Sequence, residues 1–466
     1  MSNIGLIGKN SISFVRQLLT IWNNGDCAVL IDARIPLNTA AKMLKLANAS
    51  VCYLDKALGN APKNSIRWIH YEADEANFDF IPQELYEQFT PRYTEDDAIV
   101  IFSSGTTGDA KGILLSHRAI NCNADAIADY MKLTKLDRLC SVKSFTHSST
   151  ITGELLLALK TKTPLLLAPT MALPRKLFRE LERNGITRIF LNPALLALYT
   201  DAQEAMNFSF SHLKTLYVSG SILNDRLYEK AHIAFPTLSI YNLYGASEAG
   251  PRICVQSEKT KEQNSVGLPI RDVQVCICKE DGMIASVGEA GVLHVKTPSR
   301  FTAYLSGQER PSLLGDPWIN TGDLAYQDKY GEYHILGRSD DLIFSDAYKV
   351  YPAEIEAQIL RIQGIDACKV VGYETETRMC VACVYESPQG IDATTIRREL
   401  TSKLPSYEVP EILLRLPRIP TNLNGKYDVK QIKLMIDQHL SQHAPLLRPM
   451  NETSIEYKNN EKETQL

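Results

Sequence analysis

The strongest constraint on the fold is a set of short apolar segments that each run directly into a polar, glycine-bearing loop. Residues 99–102 (IVIF) lead into SSGTTGDAKG, residues 216–218 (LYV) lead into SGS, and residues 239–241 (SIY) lead into NLYGASE. Apolar runs of this length are typical of parallel strands that are covered on both faces. Ligands of open parallel sheets bind beyond the carboxyl ends of the strands, so the three loops are expected to meet one common ligand.

The remaining pattern predicts an α/β fold with unequal parts. Further strand-like runs at 28–31 and 189–191 alternate with helix-like segments at 117–131, 174–184 and 224–234. After about residue 266 the strand-like pieces become short and alternating, which favours an antiparallel subdomain. The sequence therefore predicts a large domain over 1–339 with parallel-rich sheets, a small α+β domain over 340–445, and a disordered, polar tail over 446–466.

Composition excludes several classes of function. Lys plus Arg is 50 and Asp plus Glu is 54, so the 466-residue chain has a formal net charge of −4. A protein that coats nucleic acid or an anionic membrane needs a dense basic face, so neither partner is expected. No stretch approaches the roughly 18 apolar residues of a membrane span, and the first residues do not resemble a secretory signal. We expect a soluble, cytoplasmic protein.

The cysteine pattern does not favour a metal site or a disulfide framework. Ten cysteines are spread along the chain, and the pair with CxxC spacing is Cys380 and Cys383. This pair lies in the run MCVACVY, which is typical of a buried strand, where residues three apart point to opposite faces. No second CxxC completes a zinc site, so buried, reduced thiols are expected.

The segment at residues 103–112 has the chemistry of a phosphate-binding loop. Its glycines permit close backbone approach, and its hydroxyls and lysine supply donors to a polyphosphate. A Walker A loop is excluded, because that motif requires GxxxxGK followed by Ser or Thr, whereas Lys111 stands between Ala110 and Gly112. A flexible turn between a strand and a helix is the structural alternative.

This loop resembles the signature loop of the adenylate-forming superfamily, which includes acyl- and aryl-CoA ligases, peptide-synthetase adenylation domains and firefly luciferase. Further motifs follow in the family's order: SGS at 219–221, NLYGASE at 242–248, NTGDLA at 320–325, LGRSDD at 336–341 and NGK at 424–426. The resemblance covers nearly the whole chain except the tail. It implies an acid–thiol ligase that uses ATP and Mg²⁺ to form an acyl-AMP and then passes the acyl group to coenzyme A or to a carrier-protein phosphopantetheine.

The resemblance also implies a role for individual residues. Lys111 and Lys426 would be catalytic cations, Glu248 would bind Mg²⁺, and His147 would line the carboxylate pocket. Each role has a structural alternative. Glu248 could be a solvated loop carboxylate, and Asp323 or Arg338 could belong to an inter-domain salt bridge. The remaining implied residues contact the nucleotide. The phosphates would be bound by Ser103, Ser104, Gly105, Thr106, Thr107 and Gly108, and the ribose by Asp323 and Arg338. The other nucleotide contacts would be Ser219, Gly220 and Ser221, together with Asn242, Tyr244, Gly245 and Ser247 around adenine and phosphate. Asp340 would be the hinge of the small domain.

The substrate is expected to be a fatty or an aryl acid. Amino-acid-activating relatives place an Asp after a Phe before the acyl pocket, but here Thr146 follows Phe145 and no carboxylate is available in the segment. Burying a substrate ammonium without a counter-ion is costly, so an α-amino acid is disfavoured. His147 matches a histidine of fatty and aryl acid ligases; a hydrogen-bonded loop histidine is the alternative.

Two departures from the family pattern stand out. Ser103 lies closer to Met1 than is usual, so the family's opening helix region is expected to be absent or shortened. Asp346 and Ala347 stand where relatives have glycine along the pantetheine tunnel, which bears on the thiol step more than on adenylation.

Two other functions compete with the ligase. A stand-alone adenylation protein could use an amine or a hydroxyl acceptor, or an amino acid substrate. A nucleotide-binding pseudoenzyme could act as a partner protein, although the retention of Lys111, Glu248, Asp323 and Lys426 argues against it. The identity of the acid, the choice between coenzyme A and an acyl carrier protein, and the oligomeric state are open at this point.

Overall fold

The computed structural model of the chain describes residues 1–74, 77–104, 110–170, 172–306, 309–345, 348–374, 379–422 and 426–443. The strands are β1 Asn3–Gly8, β2 Cys27–Asp32, β3 Val51–Asp55, β4 Arg67–Tyr71, β5 Asp79–Phe80, β6 Asp97–Ser104, β7 Ala110–Ser116, β8 Leu139–Ser141, β9 Leu165–Leu167, β10 Arg188–Leu191, β11 Thr215–Ser219, β12 Ser239–Gly245, β13 Arg252–Val255, β14 Leu268–Pro269, β15 Gln274–Cys278, β16 Gly291–Lys296, β17 Ala303–Tyr304, β18 Ile319–Gln327, β19 Tyr333–Arg338, β20 Ile343–Ser345, β21 Tyr348–Val350, β22 Ala367–Glu374, β23 Met379–Glu386 and β24 Ile412–Arg415.

The three helix-like segments predicted at 117–131, 174–184 and 224–234 are helices whose ends agree to within one residue. The helices are α1 Ile12–Asn23, α2 Leu37–Leu46, α3 Gln83–Gln88, α4 His117–Met131, α5 Ser148–Thr150, α6 Leu157–Thr161, α7 Pro174–Arg183, α8 Pro193–Met206, α9 Asp225–Ala234, α10 Pro352–Leu360, α11 Ala393–Thr401 and α12 Val429–His443. A π-helical segment, Ile151–Leu156, joins α5 to α6. Side-chain caps start several of these helices; Ser116, for example, accepts from the Ala119 N–H at the start of α4.

The predicted strands belong to two parallel-rich sheets. The first has the order β17-β7-β6-β2-β1-β3-β4, and the second has the order β14-β13-β12-β11-β10-β8-β9-β5. The pairs from β8 to β12 are parallel, as are the pairs that link β6, β2, β1, β3 and β4. The α/β prediction is confirmed, with its strands divided between two sheets.

The phosphate-loop segment lies between two antiparallel strands. β6 and β7 pair antiparallel with Ser103 opposite Lys111, and α4 begins only after β7. The alternative of a turn between a strand and a helix is therefore wrong. The apolar run at 110–116 is too short to be identified as a strand from the sequence, and it becomes one through its pairing with β6.

One hydrophobic cluster fixes the two sheets against each other. It contains Leu6 and Leu30 from the first sheet together with Phe190 and Tyr217 from the second, and helices α1 and α4 contribute between them. These side chains are nearly fully buried, so the two sheets form one continuous core. This packing brings the carboxyl ends of β2, β8, β11 and β12 toward the same side of the molecule.

The later part of the chain builds smaller units. Strands β15, β16, β18 and β19 form an antiparallel sheet, as the alternating pattern after residue 266 predicted. Beyond it, β20 and β21 pair as a hairpin, and β22, β23 and β24 form a three-stranded sheet. Two hydrophobic clusters of buried residues in this region contain no residue before Ile343.

The cysteine pair lies where the sequence predicted. Cys380 and Cys383 are buried on β23; Cys383 packs into one C-terminal cluster, whereas Ala382 and Val384, which share the strand parity of Cys380, pack into the other. Among the described residues, no group of three His, Cys, Asp or Glu side chains could hold a metal ion. Within the same residues, no helix is both long enough and apolar enough to cross a membrane.

Candidate active site

Three predicted side chains from different elements meet at Asp323. The register of the β18–β19 pair sets Asp323 opposite Arg338, and Arg338 Nη1 lies 2.9 Å from Asp323 Oδ1. Tyr244, which comes from β12 of the second parallel sheet, donates its phenol to Asp323 Oδ2. Burial and the neighbouring Asp323 carboxylate raise the pKa of Tyr244 well above its usual value, so the phenol stays a donor.

Alternation along β12 decides which of its side chains reach this site. Leu243 points into the core between the sheets, and Asn242 and Tyr244 point the other way. The side-chain amide of Asn242 donates to the Ser265 carbonyl at 3.2 Å, and its backbone N–H donates to Gln256 Oε1 at 2.8 Å. Gly245 follows, where the backbone of Pro251 approaches too closely for any side chain.

Tyr304 links the phosphate-loop lysine to the predicted metal ligand. β17 pairs with β7, with Tyr304 opposite Ile113. The Tyr304 phenol donates to Glu248 Oε1 at 2.7 Å, and Lys111 Nζ lies 5.5 Å from the Tyr304 ring centroid. Sequence reasoning did not identify Tyr304, because β17 contains only two residues and carries no motif. Gly105, Thr106, Thr107 and Gly108 lie outside the described residues, and Ser103 and Ser104 are placed only by their strand register.

His147 lies where β8 passes into the helical segment. Its neighbour Ser148 contacts Ser247 through their hydroxyls at 2.8 Å, which joins this segment to the NLYGASE loop. Burial lowers the pKa of His147 to about 4; Asp32 acts in the opposite direction, and the cations Lys143 and Lys426 act with burial. The imidazole is therefore neutral at neutral pH.

A carboxylate stands beside Thr146 after all, which corrects the sequence-based argument. Asp32, at the carboxyl end of β2, places Oδ2 3.4 Å from Thr146 Oγ1. Arg34 binds both oxygens of Asp32 at 2.8 Å. Burial alone would raise the pKa of Asp32, but the hydrogen bonds from Arg34 outweigh it and lower the pKa to about 2. The two residues are 114 positions apart, so no local motif could pair them.

The SGS segment begins on a strand end and turns sharply. Ser219 is the last residue of β11, and Gly220 has a φ of 107°, which favours glycine. The Ser219 hydroxyl lies 3.4 Å from Lys143 Nζ, a residue that the motif comparison did not single out. Ser221 is exposed beyond this turn.

Lys426 is brought to the site from the C-terminal region. Its backbone is held against Asn422 by two hydrogen bonds: the Asn422 N–H donates to the Lys426 carbonyl at 2.7 Å, and the Lys426 N–H donates to Asn422 Oδ1 at 3.1 Å. Its side chain is solvent-exposed, yet surrounding protein lowers its pKa by desolvation, opposed by the charges of Asp323 and Glu248. Both observations fit an ammonium that lies in a solvent-filled cleft close to those two carboxylates.

The predicted hinge residue is held by an arginine that the sequence did not reveal. Arg310 Nη1 lies 2.9 Å from Asp340 Oδ1, and Nη2 binds the second oxygen. These hydrogen bonds lower the pKa of Asp340. Gly322, with a φ of 70°, passes beneath this guanidinium; a Cβ there would be 2.8 Å from Arg310 Cζ. The ion pair joins the segment before β18 to the turn after β19.

The charges in this cleft suit a nucleotide with its phosphates. Asp323 offers two acceptor oxygens, which match the two hydroxyls of a ribose. Lys111 and Lys426 supply cations for phosphate oxygens, and Glu248 supplies a single carboxylate. Mg²⁺ is usually held by one or two carboxylates together with water and substrate phosphates, so the donor set here fits that ion better than a dedicated metal cage.

Known proteins are similar to this chain in sequence. A family model described as AMP-binding enzyme matches residues 1–305. Gramicidin S synthase 1 of Brevibacillus brevis is 26% identical over 457 residues, which is 92% of this chain and 39% of the relative. The chain therefore spans about two fifths of the length of that relative. The indoleacetate–CoA ligase of Aromatoleum aromaticum (strain DSM 19018 / LMG 30748 / EbN1) is 28% identical over 376 residues, covering 78% of this chain and 72% of the relative.

The solved structures give the same fold. ATP-bound MatB from Rhodopseudomonas palustris superimposes with a TM-score of 0.80 at 19% identity, covering 94% of this chain and 89% of that chain. The family model spans well over half of the sequence, and the two parallel-rich sheets with their antiparallel neighbour belong to a fold that MatB shares. The chain belongs to the family of AMP-binding enzymes.

Proposed function

We propose that this protein activates a carboxylic acid with ATP, forming an acyl-AMP and pyrophosphate, and then transfers the acyl group to a thiol of coenzyme A or of a carrier-protein phosphopantetheine. One observation carries this proposal. Five side chains from distant parts of the sequence meet around one cleft, joined by hydrogen bonds or electrostatic interactions: Tyr244, Glu248, Asp323, Arg338 and Lys426. A set of packing residues would not need this combination of charges at one site.

The roles follow from the chemistry of each group. Asp323 binds the ribose diol, with Arg338 and Tyr244 orienting its carboxylate. Lys111 and the loop at 103–108 bind the phosphates, and Ser247 adds a hydroxyl. Asn242 and Gly245 shape the adenine side, and Ser219 to Ser221 form the opposite wall. Glu248, oriented by the Tyr304 phenol, would hold Mg²⁺, which when bound would neutralise charge on the phosphates.

Lys426 is the cation best suited to the adenylation step. The acid attacks the α-phosphorus of ATP through one carboxylate oxygen, the bond from that phosphorus to the bridging oxygen breaks, and pyrophosphate leaves. Negative charge builds on the α-phosphate oxygens during this step, and a positioned ammonium stabilises it. His147, which is neutral, accommodates the incoming carboxylate without competing for it as a second cation.

The small domain is proposed to move about Asp340. In this division the large domain covers 1–339, the small domain covers 340–445, and 446–466 form the tail. Lys426 belongs to the small domain, so adenylation requires the orientation described here, in which Arg310 holds Asp340. Transfer to the thiol would use a second orientation. Asp346 and Ala347, which bear on that step, lie outside the described residues, as does the tail.

An amino acid is the second candidate substrate, and Asp32 is the observation that favours it. Its carboxylate lies beside Thr146, where amino-acid-activating relatives have their own Asp. Arg34 already neutralises this carboxylate, so a substrate ammonium would have to share it. This competition makes fatty and aryl acids the first choice.

Acid-dependent release of pyrophosphate from ATP tests the proposal. Purified protein is assayed with fatty, aryl and amino acids, first alone and then with coenzyme A or a phosphopantetheinylated carrier protein. Release that depends on the acid supports adenylation, and thiol-dependent release of AMP supports the second step. If no acid stimulates pyrophosphate release while the protein binds ATP, the chain is a nucleotide-binding partner protein and the proposal fails.

A further inference from the structure

A buried ion pair lies beneath the acid-binding side of the cleft and takes no part in the mechanism above. Lys143 Nζ is 3.0 Å from Glu154 Oε1, and the two side chains are only 10% and 1% exposed. Buried charges of this kind are retained at a cost unless they are paired and fully hydrogen-bonded. Neither oxygen of Glu154 accepts a well-aligned hydrogen bond from the described residues.

The position of Lys143 is set rigidly from the other sheet. Asn10, which follows β1, donates Nδ2 to the Lys143 carbonyl at 2.6 Å and accepts from the Phe145 N–H at 2.9 Å. Asn10 is itself buried, so it clamps the turn between β8 and the helical segment. The backbone of Lys143 is therefore fixed, and Glu154 and Ser219 hold its ammonium.

That position is the ligand edge of the second parallel sheet. Lys143 lies two residues beyond β8, and its Nζ reaches Ser219 at the end of β11, with β10 between them. Ligands of parallel sheets bind along this edge. His147 follows four residues later and lies within the electrostatic field of Lys143. The ammonium thus lies between the segment of His147 and the SGS segment, next to which the acyl part of the acid would lie.

Lys143 and Ser219 each have one hydrogen-bond donor without an acceptor among the described residues. An ammonium has three N–H groups; in the described residues, one side of it faces Glu154 in the ion pair and one N–H is donated to Ser219. The Ser219 hydroxyl accepts from Lys143, so its own hydrogen is free to donate to a third group. Unsatisfied polar groups of this kind point to a ligand that completes them.

We infer that Lys143 and Ser219 bind a neutral oxygen acceptor on the acyl part of the substrate, which is therefore a hydroxy or oxo acid rather than an unsubstituted fatty or aryl acid. This inference rests on the proposed function. Lys143 already has Glu154 as its counter-ion, so its remaining N–H needs an acceptor and not a second anion. A hydroxyl or carbonyl oxygen would accept from both donors without adding charge.

Matched pairs of acids test this assignment. The ratio of kcat/KM for acid-dependent pyrophosphate release is measured for hydroxy or oxo acids against unsubstituted acids of the same chain or ring. A site built to hydrogen-bond a substrate oxygen rejects the analogue that lacks it, so the wild type is expected to favour the oxygenated acid by at least about tenfold.

The variant that isolates the pair removes both charges together. Lys143→Met alone would leave Glu154 buried without its partner and could unfold the protein, so the double variant K143M/E154M is used, and Ser219→Ala provides a milder second change. The double variant is expected to lose the preference at least about tenfold and to keep the KM for ATP and the melting temperature of the wild type. Ser219→Ala should reduce the preference in the same direction.

The outcomes separate this inference from the proposed function. A wild type that prefers unsubstituted acids, or a folded double variant that retains the preference for oxygenated acids, overturns the inference and leaves acid activation standing. A wild type that binds ATP and activates no acid overturns both.

Discussion

Asp323→Asn should weaken nucleotide binding sharply without unfolding the protein. Asp323 Oδ1 accepts from Arg338 and Oδ2 accepts from Tyr244, and its side chain is 12% exposed. Each carboxylate oxygen has a second acceptor position, so both ribose hydroxyls can bind. Asparagine keeps one acceptor of nearly the same shape and replaces the other with a donor.

The expected size follows from the hydrogen bonds that are lost. One charge-assisted bond to the ribose disappears and the other becomes a neutral bond, at about 1.5–3 kcal/mol for each charged hydrogen bond. A net loss of about 2–4 kcal/mol corresponds to a rise of roughly 30- to 700-fold in the Kd for AMP. Isothermal titration calorimetry measures that Kd, and thermal melting checks that the variant is folded.

Asp328→Asn is the matched control. Asp328 lies at the turn of the same β18–β19 hairpin, contacts His334 at 3.0 Å and is also 12% exposed, but it lies outside the proposed site. Its substitution should leave the Kd for AMP within about threefold of the wild-type value, since threefold is less than about 0.7 kcal/mol. An Asp323→Asn protein that melts normally and binds AMP as tightly as this control would refute the assignment of Asp323 to the ribose.

Three further changes have defined outcomes. Lys426→Ala should lower kcat for pyrophosphate release by about 10²- to 10³-fold with little change in the KM for ATP, as expected for a cation that acts in the transition state; a parallel rise in KM would instead indicate ground-state binding. Arg310→Ala frees Asp340 from its partly exposed ion pair and should slow single-turnover adenylation by about fivefold, or roughly 1 kcal/mol, with an unchanged melting temperature; an unchanged rate would separate this pair from the hinge. Burial lowers the pKa of His117 to about 4, and the charge of Arg92 is a smaller cause. Below pH 6.5 the unfolded chain therefore binds a proton that the folded protein does not, so the free energy of unfolding decreases as the pH falls from 6.5 toward 4. His117→Gln should reduce that acid-induced loss by about 3 kcal/mol at pH 4, measured by urea unfolding, and an identical pH dependence in the two proteins would contradict the assignment.

Motifs located the parts of the site whose chemistry is carried in consecutive residues. The loops after β6, β11 and β12 were predicted because a buried strand followed by a polar, glycine-bearing turn is a local signal. The helix at 117–131 was predicted with its observed ends, and in the structure Ser116 caps its start. The sequence analysis did not predict strand β7, because residues 110–116 form a strand only through their pairing with β6.

The contacts that orient the site depend on residues far apart in the chain. Tyr304 reaches Glu248 from 56 positions away, Arg310 reaches Asp340 from 30, and Asp32 reaches Thr146 from 114. None of these pairs has a spacing that a helix or a strand would impose. The segment at Thr146 carries no carboxylate of its own, as expected, but a local sequence could not reveal that Asp32 lies beside it.

The sequence by itself determined the α/β class, the order of the strand-end loops and the family, because each is written in local periodicity and in contiguous motifs. Only the tertiary structure decided that the parallel strands divide into two sheets, that Asp32 and Tyr304 enter the site, and that Lys143 and Glu154 form a buried pair at its edge. The physical reason is the packing of the two sheets on one core, which places the carboxyl ends of distant strands side by side and so brings their polar side chains into contact.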